Sequence, residues 1–339
     1  MKLFSAKSYL ARLMVMLAGV FILFAVLRPG MFLRISTFNS MAVQFPEYGV
    51  LALGVTLAFI SGCIDLSFIS LANLCAVIAV MVMRQVTKGP IPADQTGLYI
   101  LYGILAAVGI GALAGLVNGV LISLINVPPV LATLATGQIF SGIAKGLTNG
   151  RAISGVPLPF SETGAKLVFG FLPMQLLIFL VFFLLVGFLL KFTVYGSNLF
   201  LLGSNRTVAR FSGMKVSRMI ITTFMICGVL AAVGGLLMTV SYNSAKPDYG
   251  TSYLMQCILI AVLGGVSPNG GVGKIGGVFL AMITVQMIST GFNMFSGLSN
   301  YLRSLLTGIL LVGMMILGEL DRLAKASGKK LLARKKPLT

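Results

Sequence analysis

The sequence predicts an all-α integral membrane protein of about ten transmembrane helices, and three observations lead to that reading. Apolar residues of the set AVILMFWYC make up 58% of the 339 positions, and a further 40 are Gly. Charged residues are only 9%, against roughly 25% in a soluble domain, so the chain cannot cover itself with a charged surface. Charge-free runs recur along its whole length, at 13–27, 48–64, 66–83, 95–144, 167–190, 219–245, 249–273, 275–302 and 304–318. Each approaches or exceeds the ~17–25 residues that cross a bilayer core as helix.

In chain order, the first run follows Lys2, Lys7 and Arg12 and ends at Leu27-Arg28-Pro29-Gly30. No small-x-small cleavage site follows it, so it is expected to be a retained helix and not a signal peptide. Asp65 alone divides the second run from the third. The 95–144 run is long enough for two helices and is broken at Asn126-Val127-Pro128-Pro129, where the proline pair removes backbone donors and restricts the residue before it. That division brings the count to ten. Residues 251–264 form only a short apolar helix before the Gly-rich stretch 264–277. Non-helical backbone at membrane depth is tolerated where protein or a water-filled cavity satisfies it, and transporters use such broken helices at their pathways.

Orientation follows from Lys and Arg in the short loops. With the N terminus in the cytoplasm that side holds sixteen basic residues and the other nine, so both termini are expected inside. The formal charge of +18 is then a topology signal, and no nucleic-acid partner is expected. The whole chain, 1–339, reads as one transmembrane domain with a cytoplasmic loop at 203–216 and a basic tail at 319–339. Membrane lipids are its surroundings.

Motifs of soluble enzymes fail on context. Gly271-Val272-Gly273-Lys274-Ile275-Gly276 is a literal GxGxxG, but it lies between membrane helices with no βαβ unit around it and reads as a turn. No P-loop is present, and the chain has no His, which removes the commonest general base and metal ligand. Cys63, Cys75, Cys227 and Cys257 lie in apolar runs without metal-ligand spacing. No catalytic residue, resident cofactor or metal site is expected. Gly111, Gly115 and Gly119 recur every four residues, a row that lets two helices approach closely.

Two stretches carry functional candidates. Asp65, in Ser61-Gly62-Cys63-Ile64-Asp65-Leu66-Ser67, is either a helix cap whose carboxylate meets free amides near Ser67 and Phe68 or an acid in a substrate or proton path. In 203–216, Asn205 can cap a short helix running to Phe211 and Gly213 can end it. Such a helix shows Arg206 and Arg210 on one face.

These residues resemble a known family. Gly62-Cys63-Ile64-Asp65-Leu66-Ser67 is similar to the Gly-Gly-Ile-Asp-Leu-Ser signature of sugar-type ABC importer permeases, the ribose, galactose, xylose and autoinducer-2 group. Gly203-Ser204-Asn205 through Ser212-Gly213 resembles their coupling loop, and Ser244-Ala245-Lys246-Pro247-Asp248 and Ala261-Val262-Leu263-Gly264-Gly265 resemble later segments. The likeness spans roughly residues 40–320. Cys63 departs from the pattern, which has a second Gly, and so do Arg206, Thr207 and Val208, where an acidic residue and two alanines are usual.

The resemblance implies a type II ABC importer permease, paired with a second copy or a paralogue in the bacterial inner membrane. Cytoplasmic ATP-binding subunits would dock on the coupling loop through Gly203, Asn205, Arg206, Arg210, Ser212 and Gly213, and would bind the ATP. A periplasmic or lipid-anchored binding protein would deliver substrate. A neutral polyol suits a polar, mostly uncharged pathway, for which Asp65, Ser67, Asn118, Thr133, Thr136, Gln138, Ser141 and Asn293 are the candidates. Alternative readings are a branched-chain amino acid permease of the same architecture, against which the Ile-Asp-Leu-Ser signature argues, and an ATPase-independent secondary transporter, which ordinarily keeps several ionisable groups in its spans. A membrane transferase would need paired carboxylates or a His constellation.

Overall fold

The computed structural model describes residues 6–85, 95–164, 166–168, 170, 172–295, and single positions at 302, 305, 308–309 and 312–313. The expected tenth span and the 319–339 tail lie outside the continuously described residues. Seven helices among the described residues are long and apolar enough to cross a membrane. In the labels used from here these are α1 (Ala6–Leu27), α2 (Ile35–Ile60), α4 (Thr96–Ser123), α5 (Pro129–Thr148), α6 (Met174–Phe192), α9 (Val216–Tyr242) and α11 (Ile275–Asn293). Two shorter apolar helices, α3 (Phe68–Met83) and α10 (Tyr253–Leu263), have 16 and 11 residues. Each adjoins a non-helical segment, 61–67 before α3 and 264–274 after α10.

Between α6 and α9 the chain forms α7 (Val194–Ser204) and the short α8 (Arg206–Phe211). At the opposite end of the bundle two-residue strands β1 (Ile153–Ser154) and β4 (Ser244–Ala245) pair antiparallel, and β2 (Leu167–Val168) pairs with β3 (Leu172–Pro173).

The core is organised round α2, which is buried almost without interruption from Phe45 to Ile60, and round α9, which packs on α2, α3 and α4. The glycine row of α4 fits against α9: a Cβ at Gly111 would strike the Gly228 carbonyl, one at Gly115 the Phe224 carbonyl, and one at Gly119 would lie 2.6 Å from Ile221 Cα. These helices touch backbone to backbone. Pro46 lies inside α2; having no N–H, it leaves the Ala42 carbonyl without its helical donor. Phe45 meets Phe179 of α6 edge to face at 5.0 Å, and Asn73 of α3 donates to the Pro247 and Tyr249 carbonyls at 3.1 and 2.9 Å, fastening the loop after β4.

Candidate functional site

The segment 203–216 is built from caps at both ends of one short helix. Asn205 Oδ1 accepts from the N–H groups of Thr207 and Val208 at 2.9 and 3.1 Å, meeting two of the donors that a helix N-terminus leaves open. At the other end Gly213 has φ +81, and Met214 N–H donates to the Ala209 carbonyl while Gly213 N–H donates to that of Arg210. That pair of bonds is a Schellman closure, which takes glycine at the left-handed position without a Cβ penalty. Ala209 is fully buried and seats the helix, whereas Val208 and Phe211 project, 51% and 86% exposed. Arg206 and Arg210 share one side and line a cavity of about 320 Å³ together with Ser123, Asn126 and Ser217.

The 203–216 segment is joined to the Asp65 loop by backbone. Gly203, Gly62 and Gly270–Gly271 meet at one point: a Cβ on Gly203 would overlap the Ile60 carbonyl oxygen, and one on Gly270 would lie 2.6 Å from the Gly203 oxygen and 2.7 Å from Gly62 Cα. Gly271 N–H donates to the Ile60 carbonyl at 3.0 Å. Gly62 and Gly270 have φ +74 and +90, so this junction joins three segments that only glycine permits to come so close. Arg206 Nη2 lies 3.0 Å from Cys63 Sγ. Two positions that depart from the family pattern are therefore in contact across 143 residues of sequence.

Five of the candidate pathway residues are brought together. Asp65 Oδ1 accepts from the Ser67 N–H at 2.8 Å and from Ser67 Oγ at 2.7 Å, and Asn118 Nδ2 donates to that same Oγ at 2.9 Å. Ser67 is itself the residue that precedes α3, so Asp65 brackets the turn before the helix and its side chain bonds at Ser67 instead of reaching the amides of the first turn. Thr133 Oγ1 accepts from Leu66 N–H at 3.1 Å and donates to the Pro129 carbonyl at 2.9 Å; Thr136 donates to the Thr133 carbonyl. All five of these side chains are buried, and Asn118 Oδ1 has no partner among the described residues. Gln138 lies on the exposed side of α5, as does Ser141 in part, and Asn293 is exposed at the end of α11; none of the three joins the cluster.

A charge-run reading of the sequence passes over Glu47, because a run that starts at residue 48 treats the acid as its edge. In the structure Glu47 lies in the middle of α2 and is 3% exposed. Its Oε2 accepts from Tyr253 Oη at 3.1 Å, and Tyr253 Oη lies 3.0 Å from Tyr242 Oη. Gln286 Nε2 donates to Gln44 Oε1 at 3.2 Å, and Tyr48 Oη donates to Gln286 Oε1. These groups line a cleft of about 370 Å³. The available signal was its position: residues 35–60 carry one charge in an otherwise uncharged stretch.

With this fold in place, the chain belongs to the family described as branched-chain amino acid transport system / permease component, whose model matches residues 37–315. It is a multi-pass protein of the bacterial inner membrane and the permease component of an ATP-binding cassette importer. The autoinducer 2 import system permease protein LsrD of Yersinia pseudotuberculosis (strain IP 31758) is 35% identical over 270 residues, 78% of this chain and 77% of the relative. The protein of the same name from Yersinia pestis (strain Pestoides F) matches to the same extent. Among solved structures, a metal-chelate type ABC transporter in an inward-facing conformation superposes with a TM-score of 0.51 at 18% identity, covering 92% of this chain and 99% of that one. That likeness is one of fold.

Proposed function

We propose that the chain imports a sugar or a sugar-like signal of the autoinducer-2 kind, as a shape-changing permease with about ten spans and both termini in the cytoplasm. The observation that carries the transport mechanism is α8: a six-residue helix closed at both ends and seated by Ala209, with Val208 and Phe211 standing out from it. A short rigid helix with an apolar knob and two arginines on one side suits a groove of an ATP-binding subunit carrying carboxylates. The glycine junction would pass its displacement to the Asp65 loop. ATP would be hydrolysed on that partner, since the sequence has no P-loop.

The relatives named for autoinducer 2 import favour a hydroxyl-bearing neutral substrate over a branched-chain amino acid. Gln138, polar and exposed midway along α5, is a costly group to leave against lipid. Covering it with a second copy or a paralogue removes that cost and places it at the seam between two permeases. A binding protein would deliver substrate at the end of the bundle that carries β1 and β4.

The test is uptake by cells lacking their own autoinducer 2 importer, supplied with this chain together with a candidate ATP-binding subunit and binding protein from the same organism. ATP-dependent accumulation of autoinducer 2 or D-ribose is expected. Accumulation of L-leucine in their place would favour the amino acid reading, and uptake that persists without the ATP-binding subunit would overturn the ABC assignment.

A further inference from the structure

The cleft around Glu47 is separate from the Asp65 cluster and from the coupling segment. It is formed by the middle of α2, the end of α9, the start of α10 and the outer turns of α11. Its floor is buried, with Glu47 and Gln286 each 3% exposed, while Gln44, Ser241 and Tyr242 at the rim are exposed. The groups are therefore sunk in the bundle and reachable from outside it.

We propose that this cleft is a binding site for a small neutral molecule carrying adjacent hydroxyl groups, with Glu47 accepting hydroxyl protons and the glutamine amides pairing the remaining oxygens. The reading of the chain as a sugar-type permease is assumed; the cleft adds where within one chain the substrate rests. Three features define the ligand. Among the described residues a single carboxyl and no basic residue line the cleft, so that lining disfavours an anion and offers a zwitterionic amino acid no cation for its carboxylate. Amides of Gln44, Gln256 and Gln286 each offer both a donor and an acceptor, which matches hydroxyls that do both. The Tyr48 and Tyr253 rings, 5.6 Å apart, supply flat apolar surface for the C–H face of a polyol. At about 370 Å³ the space lies at the small end of the roughly 300–1,000 Å³ typical of ligand sites.

The internal bonds already present show how a ligand is exchanged. Gln286 is held by Tyr48, Gln44 and Thr290, and Tyr253 by Glu47 and Tyr242. A hydroxyl-bearing molecule can take over these bonds one for one, so entry leaves no buried polar group unpaired.

The experiment uses the full chain with Val43→Cys, a half-buried apolar position on the cleft wall. The four native cysteines are buried, so a maleimide reports on the new thiol. Its labelling rate in membranes is measured against added autoinducer 2, D-ribose or L-leucine, and uptake by the assembled transporter containing the same chain is measured in parallel. Expected is concentration-dependent protection by autoinducer 2 or D-ribose and none by L-leucine. Glu47→Gln should raise the half-protecting concentration about tenfold or more, since one of the two carboxylate acceptors becomes an NH2 donor and the remaining amide oxygen accepts more weakly. Should Glu47→Gln fail to insert, Gln44→Ala and Tyr253→Phe carry the same comparison. Uptake without protection, or protection by L-leucine, overturns the site. Protection by a polyol without uptake leaves the site standing and overturns the transport reading; the absence of both overturns both.

Discussion

Replacing Gly203 by alanine adds one methyl group at the point where α7, the Asp65 loop and the Gly-rich loop meet. The new carbon would overlap the Ile60 carbonyl oxygen, and that oxygen is the acceptor for Gly271 N–H at 3.0 Å. The neighbours are backbone, which cannot rotate away, so the segments must part. Overpacking of a tight site costs about 1–3 kcal/mol, and loss of the Gly271 hydrogen bond adds roughly 0.5–1.5 kcal/mol. The sum, about 1.5–4.5 kcal/mol, corresponds to a fall of roughly 2–6 °C in unfolding midpoint, taking ~2.1 cal/mol/K of unfolding entropy per residue over the 339 residues. The assay heats the detergent-solubilised protein and follows its monodisperse fraction, then measures substrate-stimulated ATP hydrolysis by the assembled complex. Gly142→Ala on α5, where a Cβ meets nothing within 4 Å, is the control and should keep the native midpoint. A Gly203→Ala protein with a native midpoint and native stimulation would show that the three segments are not joined as described.

The other variants separate local structure from coupling. Gly213→Val should leave the protein inserted but abolish substrate-stimulated ATP hydrolysis, because φ +81 is closed to a β-branched residue while the surrounding space is open; native transport in this variant would reduce the segment to a connector. Arg206→Ala should weaken coupling only modestly, within about 1 kcal/mol, since it removes one exposed charge and a weak contact to a thiol. Asp65→Asn keeps an oxygen for both Ser67 donors and should retain folding and transport, whereas Asp65→Leu strands them at about 1–3 kcal/mol and should lower the amount of protein; normal expression with no uptake in Asp65→Asn would move the acid into the pathway. A reporter fused after Leu338 should be active only in the cytoplasm, and one inserted at Glu162 only outside.

Features governed by local chemistry were legible in the sequence. Among the described residues the apolar runs fall on seven long helices and two shorter ones, the proline pair located the break between α4 and α5, and Asn205 and Gly213 delimited α8 because caps depend on the residue at one position and its neighbours' amides. Features made by distant partners were not. Pairing of Ile153 with Ala245 leaves no trace in either short stretch, and the contact of Arg206 with Cys63 shows itself in the sequence only as two unrelated departures. Glu47 was hidden for a different reason: counting charge-free residues assigns any acid to a boundary, while a proline-bearing helix with tyrosines and glutamines opposite can hold one at mid-depth. Of the polar candidates, Asp65, Ser67, Asn118, Thr133 and Thr136 converge because α4 and α5 both face the 64–67 segment. Residue type alone points to Gln138 and Asn293, and residue type says nothing about the direction a side chain takes.

The glycine row of α4 also sets an order of events during synthesis. Its partners on α9 lie about a hundred residues further along the chain, and at ribosomal rates of about 5–20 residues per second they emerge roughly 5–20 s later. Through that interval the glycine row of α4 has no surface of matching shape, and it offers lipid little side-chain area to grip. α4 meets α3 and α5 earlier, but the glycine face itself stays uncovered until α9 is made. That face is closed only when α9 packs on α2, α3 and α4, so a chain that stops before residue 216 leaves the glycine row without its partner.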